Sequence, residues 1–402
     1  MHRLGMREVG GVLQRKTEPK VSRGILVFLI SLAALFVLAV PMQNAWGMWG
    51  LALTELMLLV IAIIFARIFR WEFREVFPLK VPSFRQILGV LVLWFASYVA
   101  VYVTSVTLYY LFPAGMGGVN TALTDFFTSV PKPLALLVVA VMPGICEEVL
   151  HRGLIQFTFR GKSKSVTILA MAVIFGLFHL DLYRFVGTAL LGGVLTYIMV
   201  ETGNLLLPIL LHVLNNAVST SLAFLSGPDA GLSYVPLSAI GFALIVAAMV
   251  PFLFVLGSRL LARRGAGQKK PATRKAWIFA TLLALLCVVG GTFLVTNGSS
   301  TPIFETSFSE QVPSDSSGHR LPFTVEQAGI YHIDLTIEGG EGLLTSIAIQ
   351  RADGDEVYSL AAGSVTVQAA VVSFVAGDHL YVVEYDHNGV DYTPVKVAIR
   401  IY

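Results

Sequence analysis

The chain has 402 residues, 55% of them hydrophobic and only 13% charged, with a mean hydropathy of +0.75. A soluble domain carries about 25% charged residues, so this much apolar surface must be solvated by lipid, which excludes a plain cytoplasmic enzyme. The net charge of +3 conceals a split, because residues 1–295 balance to +13 (24 Lys and Arg against 11 Asp and Glu) and residues 296–402 to −10 (4 against 14).

A basic front and an acidic tail read as two domains in different compartments. The basic residues lie in short loops between apolar runs and form no continuous stripe, which argues against nucleic acid as a partner. Cys146 and Cys287 both sit inside apolar runs, so they form no disulfide framework, and no CxxC pair suggests a metal or redox site.

Residues 1–23 carry six Lys and Arg and read as a basic cytoplasmic segment. Beyond it, a membrane helix needs about 20 apolar residues to cross roughly 30 Å of hydrocarbon. The hydropathy predicts nine spans: Gly24–Val40, Met48–Phe69, Ile87–Phe112, Leu134–Phe159, Val166–Leu180, Phe185–Val200, Leu205–Leu225, Pro236–Leu261 and Ala276–Val295. The first is read as retained, because the PMQNAWG that follows makes a poor cleavage site and is taken as a loop. The fifth and sixth are short and separated only by the segment DLYR, whose Asp181 and Arg184 are expected at the membrane interface.

Lys and Arg collect in the N-terminal segment and in the loops after spans two, four and eight, whereas the alternate loops hold almost none. With nine spans, the positive-inside rule puts the N-terminus in the cytoplasm and the acidic tail outside. From Thr296 onward, Tyr331, Ile333, Leu335 and Ile337 alternate with polar residues as on a half-buried strand. Similar runs follow at Leu344–Gln350, Val365–Gln368, His379–Tyr385 and Pro394–Tyr402, separated by the turn signals EGGEG, ADGD, AGD and DHNG. The fold class expected is an all-α polytopic membrane core, residues 24–295, followed by an extra-membrane all-β sandwich-like domain, residues 296–402. No internal repeat is visible, and the polar stretch Ser307–Gly318 is the only low-complexity segment.

An ionisable residue at membrane depth is costly and reads as functional by default. Span four carries ICEEVLHRG, in which Glu148 and Arg152 are i,i+4 neighbours able to neutralise each other, leaving Glu147 on its own face as a candidate base. Glu147 and His151 form a second i,i+4 pair, and Pro143 one turn earlier removes a backbone hydrogen bond and kinks the helix. Span five ends in FGLFHL, with Phe175 and His179 one turn apart; span seven carries LLHVLNN, with His212 and Asn216 one turn apart and Asn215 turned away. Lipid offers these groups no partners, so they are expected to converge. Straight helices would leave Glu147, His179 and His212 at different depths, so convergence requires tilted, offset or broken helices. Glu55 in span two reads as a snorkelling or packing residue, and Cys146 as packing.

Such a set suits hydrolysis, with Glu and His activating a water while a second His and an Asn donate to an oxyanion. Imidazole and carboxylate also suit zinc, but HExxH is absent. No cofactor is assigned. A divalent metal such as zinc stays open, with Glu147, His179 and His212 as its ligands if one is used.

The three motifs, EExxxR at Glu147–Arg152, FxxxH at Phe175–His179 and HxxxN at His212–Asn216, together with the ETGNLLLPILLH that leads into the third, resemble the CAAX prenyl protease 2/Abi family of intramembrane proteases, also called CPBP. The resemblance covers residues 138–220. It implies a helical core in which Glu147 and His179 activate the water, His212 and Asn216 stabilise the oxyanion, and Glu148 and Arg152 support them. It also implies a membrane-embedded or lipidated peptide as substrate. The tail departs from the minimal family core; its strand pattern is similar to jelly-roll modules fused to secreted peptidases, and it is expected to bind a protein or cell-envelope ligand. The competing readings are a non-enzymatic membrane scaffold or receptor, whose polar cluster is structural and whose tail does the binding, and a transporter or proton relay, against which the lack of inverted repeats counts.

Overall fold

The computed structural model describes residues 6–9, 12–15, 18–226, 235–262, 274–297, 303–312, 318–326, 328–339, 343–362, 365–387 and 393–402. In chain order its main helices are α1 (Val21–Trp46), α2 (Met48–Ile68), α3 (Phe84–Leu111), α4 (Pro113–Thr128), α5 (Lys132–Ile155), α6 (Lys164–Phe178), α7 (Leu182–Thr202), α8 (Leu206–Leu225), α9 (Leu237–Leu261) and α10 (Arg274–Asn297). Among the described residues eight of these are long and apolar enough to cross a membrane, α4 and α6 being the exceptions. The 15-residue α6 is the expected short fifth span. The Lys and Arg residues at 263–270 and the loop at 227–234 lie outside the described residues.

Contacts divide the chain into two units, one of residues 1–104, 121–230 and 246–288, the other of residues 105–120, 231–245 and 289–402. In the first, the expected loop PMQNAWG is helical. α1 continues to Trp46 and reverses at Gly47, whose φ of 51° only glycine adopts without strain. A π-helical stretch, Leu35–Ala39, stands just ahead of Pro41, a residue with no N–H to give the preceding turn. α4 was not expected either. Its sequence, PAGMGGVNTALTDFFT, is rich in Gly and Thr and lacks a clear apolar period.

Two packing layers fix α2 against α5. Met48 and Ala52 cluster with Val138 and Val139, while Leu58 and Ala62 cluster with Leu150 and Leu154, so the two helices run side by side in one direction. The turn between α7 and α8 holds Gly203 at φ 53°. Next to it Asn204 grips Lys80 from both sides, its Oδ1 accepting from the Lys80 N–H at 3.1 Å and its Nδ2 donating to the Lys80 carbonyl at 2.7 Å. α8 therefore starts from a fixed point.

Near the N-terminus β1 (Met6–Val9) and β2 (Val12–Arg15) form a short antiparallel hairpin. Among the described residues the tail holds eight strands: β3 (Phe304–Val312), β4 (Gly318–Val325), β5 (Gly329–Gly339), β6 (Leu343–Arg351), β7 (Glu356–Ala362), β8 (Val365–Phe374), β9 (Gly377–His387) and β10 (Thr393–Ile401). They pair antiparallel in two four-stranded sheets, ordered β3-β10-β5-β8 and β4-β9-β6-β7. Eight strands shared between two sheets in this order form a jelly-roll sandwich. Ile333, Leu335 and Ile337 of β5 face its core together with Ile347, Ile349, Tyr381, Val397 and Ile399. Part of the stretch taken as low-complexity is edge strand β3; residues 313–317, and parts of the turns EGGEG and DHNG, lie outside the described residues.

Candidate active site

The first motif lies on α5, which is not a uniform α-helix. Leu136–Val141 and Val149–Ile155 are π-helical and flank an α-helical segment, Met142–Glu148, that begins with Pro143 near its first position. Each wider turn rotates the residues beyond it relative to an ideal 3.6-residue period. The result divides the two glutamates. Glu148 is wholly buried; its Oε1 accepts from Arg152 Nη1 at 2.7 Å and from His212 Nδ1 at 2.9 Å. Glu147 is half-buried, and the Oε2 atoms of both glutamates are buried without a hydrogen-bond partner.

Arg152 is buried completely, in keeping with a charge that has its counter-charge at hand. Its Nη2 donates to the Gly192 carbonyl of α7 at 3.1 Å, and its guanidinium carbon sits 4.2 Å from the centre of the Phe175 ring. Gly192 makes this approach feasible, because a Cβ there would lie 2.8 Å from Phe175 Cβ. Phe175 of the second motif is the hub of the site. His151, His179 and His212 all meet its ring edge-on, with centroids 5.2, 5.0 and 5.7 Å away.

The three motifs meet through Glu148, Arg152, Phe175 and His212, whereas among the described residues no direct contact joins the Glu147 carboxylate, expected at the centre, to His179 or His212. His179, at the C-terminal end of α6, donates from Nδ1 to the Phe175 carbonyl at 2.9 Å, because a carbonyl can only accept. Its Nε2 is thereby left as the acceptor in the neutral ring. His212 likewise gives its Nδ1 proton to Glu148, whose carboxylate oxygens are acceptors only.

Several expected placements change. His151 bonds the backbone carbonyl of Glu147 at 2.9 Å rather than its carboxylate, and packs between Phe175 and Phe178. Asn216 donates from Nδ2 to the Val139 carbonyl at 3.1 Å, and its Oδ1 accepts from Asn215 at 3.3 Å. Asp181 caps the start of α7 by accepting from the Tyr183 and Arg184 N–H groups at 2.8 and 3.2 Å. Arg184 is half-buried and acts electrostatically on both Glu147 and His179. Glu55 does not snorkel. It is 3% exposed, stands level with Cys146 and Glu147 by the pairing of α2 with α5, and has one carboxyl oxygen buried without a partner. The sequence signal for Glu55 was its charge within an apolar run, and for Arg184 its place in the turn after His179.

Among the described residues no group of three or more His, Cys, Asp or Glu side chains is arranged to hold a metal ion. Glu147, His179 and His212, the ligands named for a metal, are not gathered in that way; both imidazoles give Nδ1 to protein acceptors, which leaves Nε2 of each open.

Residues 129–218 match the family model described as Rce1-like, type II CAAX prenyl endopeptidase. No curated protein matches the chain. Among solved structures, a carbohydrate-binding module of Cellvibrio mixtus lichenase 5A, in complex with cellotriose, is similar over 25% of this chain and 97% of that one, at 16% identity and a TM-score of 0.18. That likeness is too slight to bear on fold or ligand. The matched segment runs from the start of α5 to Asn216 and beyond, and so contains every residue of the three motifs. Residues 129–218 are thus similar to the Rce1-like family, in agreement with the resemblance that the three motifs carry.

Proposed function

We propose that the chain is an intramembrane endopeptidase that hydrolyses a peptide bond with Glu147 as general base. The observation that carries this reading is the division of the two glutamates. Both glutamates keep an unpartnered Oε2, but Glu148 is wholly buried with its Oε1 held by Arg152 and His212, whereas Glu147 is half-buried and bonds neither of them. A base needs an open lone pair held at a fixed place, and Glu147 has one.

In this reading Glu147 takes a proton from water as the water oxygen bonds to the scissile carbonyl carbon. His179 Nε2 accepts a hydrogen bond from the second water proton and orients the attack. The imidazole of His212, held in place by Glu148, supports the developing oxyanion. The proton held by Glu147 then passes to the amide nitrogen as the C–N bond breaks, giving a carboxylate and an amine. No step uses a metal. The substrate is a membrane-embedded or lipidated peptide. The N-terminus faces the cytoplasm and the jelly-roll domain the exterior, a reading supported by the placement of Lys and Arg in alternate loops.

Cleavage of a reporter peptide by protein reconstituted in liposomes tests the assignment. Glu147→Gln and His179→Ala should each slow cleavage by about 100-fold or more, the usual worth of a positioned acid or base, at unchanged folded yield. Wild-type cleavage by both variants would remove the proposed base and its partner.

A further inference from the structure

A further carboxyl reaches the level of the site from α2. Leu53, Leu56, Val60 and Ile64, at spacings of three and four residues, are exposed and mark the lipid face of that helix. Met48, Ala52, Glu55, Leu58 and Ala62 recur at the same spacings on the opposite face and are buried. On either side of Glu55 this buried stripe packs on α5, Ala52 with Val138 and Val139, and Leu58 with Leu150. Glu55 is therefore held at the seam of the two helices, level with Cys146 and Glu147, and its carboxyl acts electrostatically on both.

A carboxyl at membrane depth needs donors, and lipid has none. Thr54, next in the chain, is already engaged: its hydroxyl donates to the Gly50 carbonyl at 2.9 Å and accepts from Gln43 Nε2 at 3.3 Å. Glu55 Oε2 is buried without a partner, and so is Glu147 Oε2. Two such oxygens on helices packed side by side are both acceptors. One water can serve both, giving an O–H to each, and a carboxyl oxygen accepts from water whether its group is ionised or neutral.

We infer that Glu55 binds the attacking water together with Glu147. Glu147 takes the proton, and Glu55 accepts a hydrogen bond from the same water and fixes where it stands. Glu55 lies outside residues 129–218, so this chain completes its site from a helix that the matched segment does not contain. The catalytic half of this inference rests on the proposed hydrolase; the water site between α2 and α5 does not.

The test compares Glu55→Leu and Glu55→Gln in the full-length protein, read by thermal unfolding in detergent and by kcat and KM on the reporter peptide. Glu55→Leu replaces a buried, unpaired polar group by an apolar one of similar size, so the unfolding temperature should rise. Its kcat should fall about tenfold or more, with KM little changed, because the water is no longer held in place. A packing role would move stability and activity down together. Glu55→Gln, whose amide oxygen accepts as the carboxyl oxygen does, should recover most of the lost kcat. Full kcat in Glu55→Leu, a lowered unfolding temperature in it, or a Glu55→Gln variant as slow as Glu55→Leu would each overturn the inference. If even the wild type cleaves nothing, the proposed function fails, and the water site is read separately. A cysteine placed by Glu55→Cys, with Cys146→Ala and Cys287→Ala, should then gain the mass of a small hydrophilic thiol reagent in the folded protein. No labelling would show that water does not reach this level, and would overturn the site itself.

Discussion

At the residue scale the site is governed by what a buried charge requires. Arg152 and Glu148 are both inaccessible to solvent, and each is the main counter-charge of the other. Removing one partner leaves the other charged in a medium that cannot solvate it, at a cost of about 3–5 kcal/mol. Arg152→Met should therefore unfold at a much lower temperature than the wild type in a detergent melt. Adding Glu148→Gln should recover most of the loss, since the second uncompensated charge is then gone. An Arg152→Met variant as stable as the wild type would mean that Glu148 is served by another group. Glu147 differs because it has no fixed cation within bonding distance among the described residues. That makes it the residue free to accept and release a proton.

At the scale of elements, geometry depends on where α5 departs from an ideal helix. Its two π-helical stretches bracket the segment with Glu147 and Glu148, so the motif is turned relative to both ends of its own helix. A close crossing at Gly144 depends on the absence of a side chain. Gly144→Ala places a carbon within 2.4 Å of Val213 Cγ2 and forces α5 and α8 apart. Overpacking of this kind costs about 1–3 kcal/mol, and the lengthened Glu148–His212 contact should lower kcat more than it raises KM. A Gly144→Ala variant with unchanged kcat and unfolding temperature would show that the crossing has slack.

Much of this was readable from residues alone, for identifiable reasons. Spans are long runs of one kind of side chain, and among the described residues the apolar helices fall within a few residues of the expected limits, apart from the C-terminal end of α1. The Glu148–Arg152 pair followed from i,i+4 spacing, and β5 from its alternation of apolar and polar residues. Hydropathy does not encode turn count, so the π-helical stretches were invisible. Long-range donors were equally hidden. Nothing in the spacing announced that the Asn216 amide, on α8, meets the Val139 carbonyl on α5. Of the two readings of Glu55, snorkelling and packing, burial removes the first, and its level beside Glu147 depends on the pairing of two helices, which spacing does not show. The segment PMQNAWG shows the converse error: polar residues and a proline suggested a loop, yet a π-helical turn ahead of Pro41 let the helix continue to Trp46.

For the whole molecule, chemistry and charge are partitioned along the chain. The cluster of the three motifs lies entirely on α5–α8, inside residues 129–218, whereas the acidic balance belongs to the tail with its jelly-roll domain. The expected orientation has a direct readout in intact cells. A membrane-impermeant maleimide should label a cysteine placed by Asp353→Cys in the tail, and should reach one placed by Lys162→Cys, between α5 and α6, only after permeabilisation. The reverse pattern would invert the proposed topology.

The central claim, that water activated at Glu147 splits an amide inside this cluster, is tested most directly by cleavage in water enriched in oxygen-18. Reconstituted wild-type protein should place one heavy oxygen in the new carboxylate of the reporter, and Glu147→Gln should abolish that incorporation while its unfolding temperature stays within a few degrees. Equal incorporation by Glu147→Gln and the wild type would contradict the account.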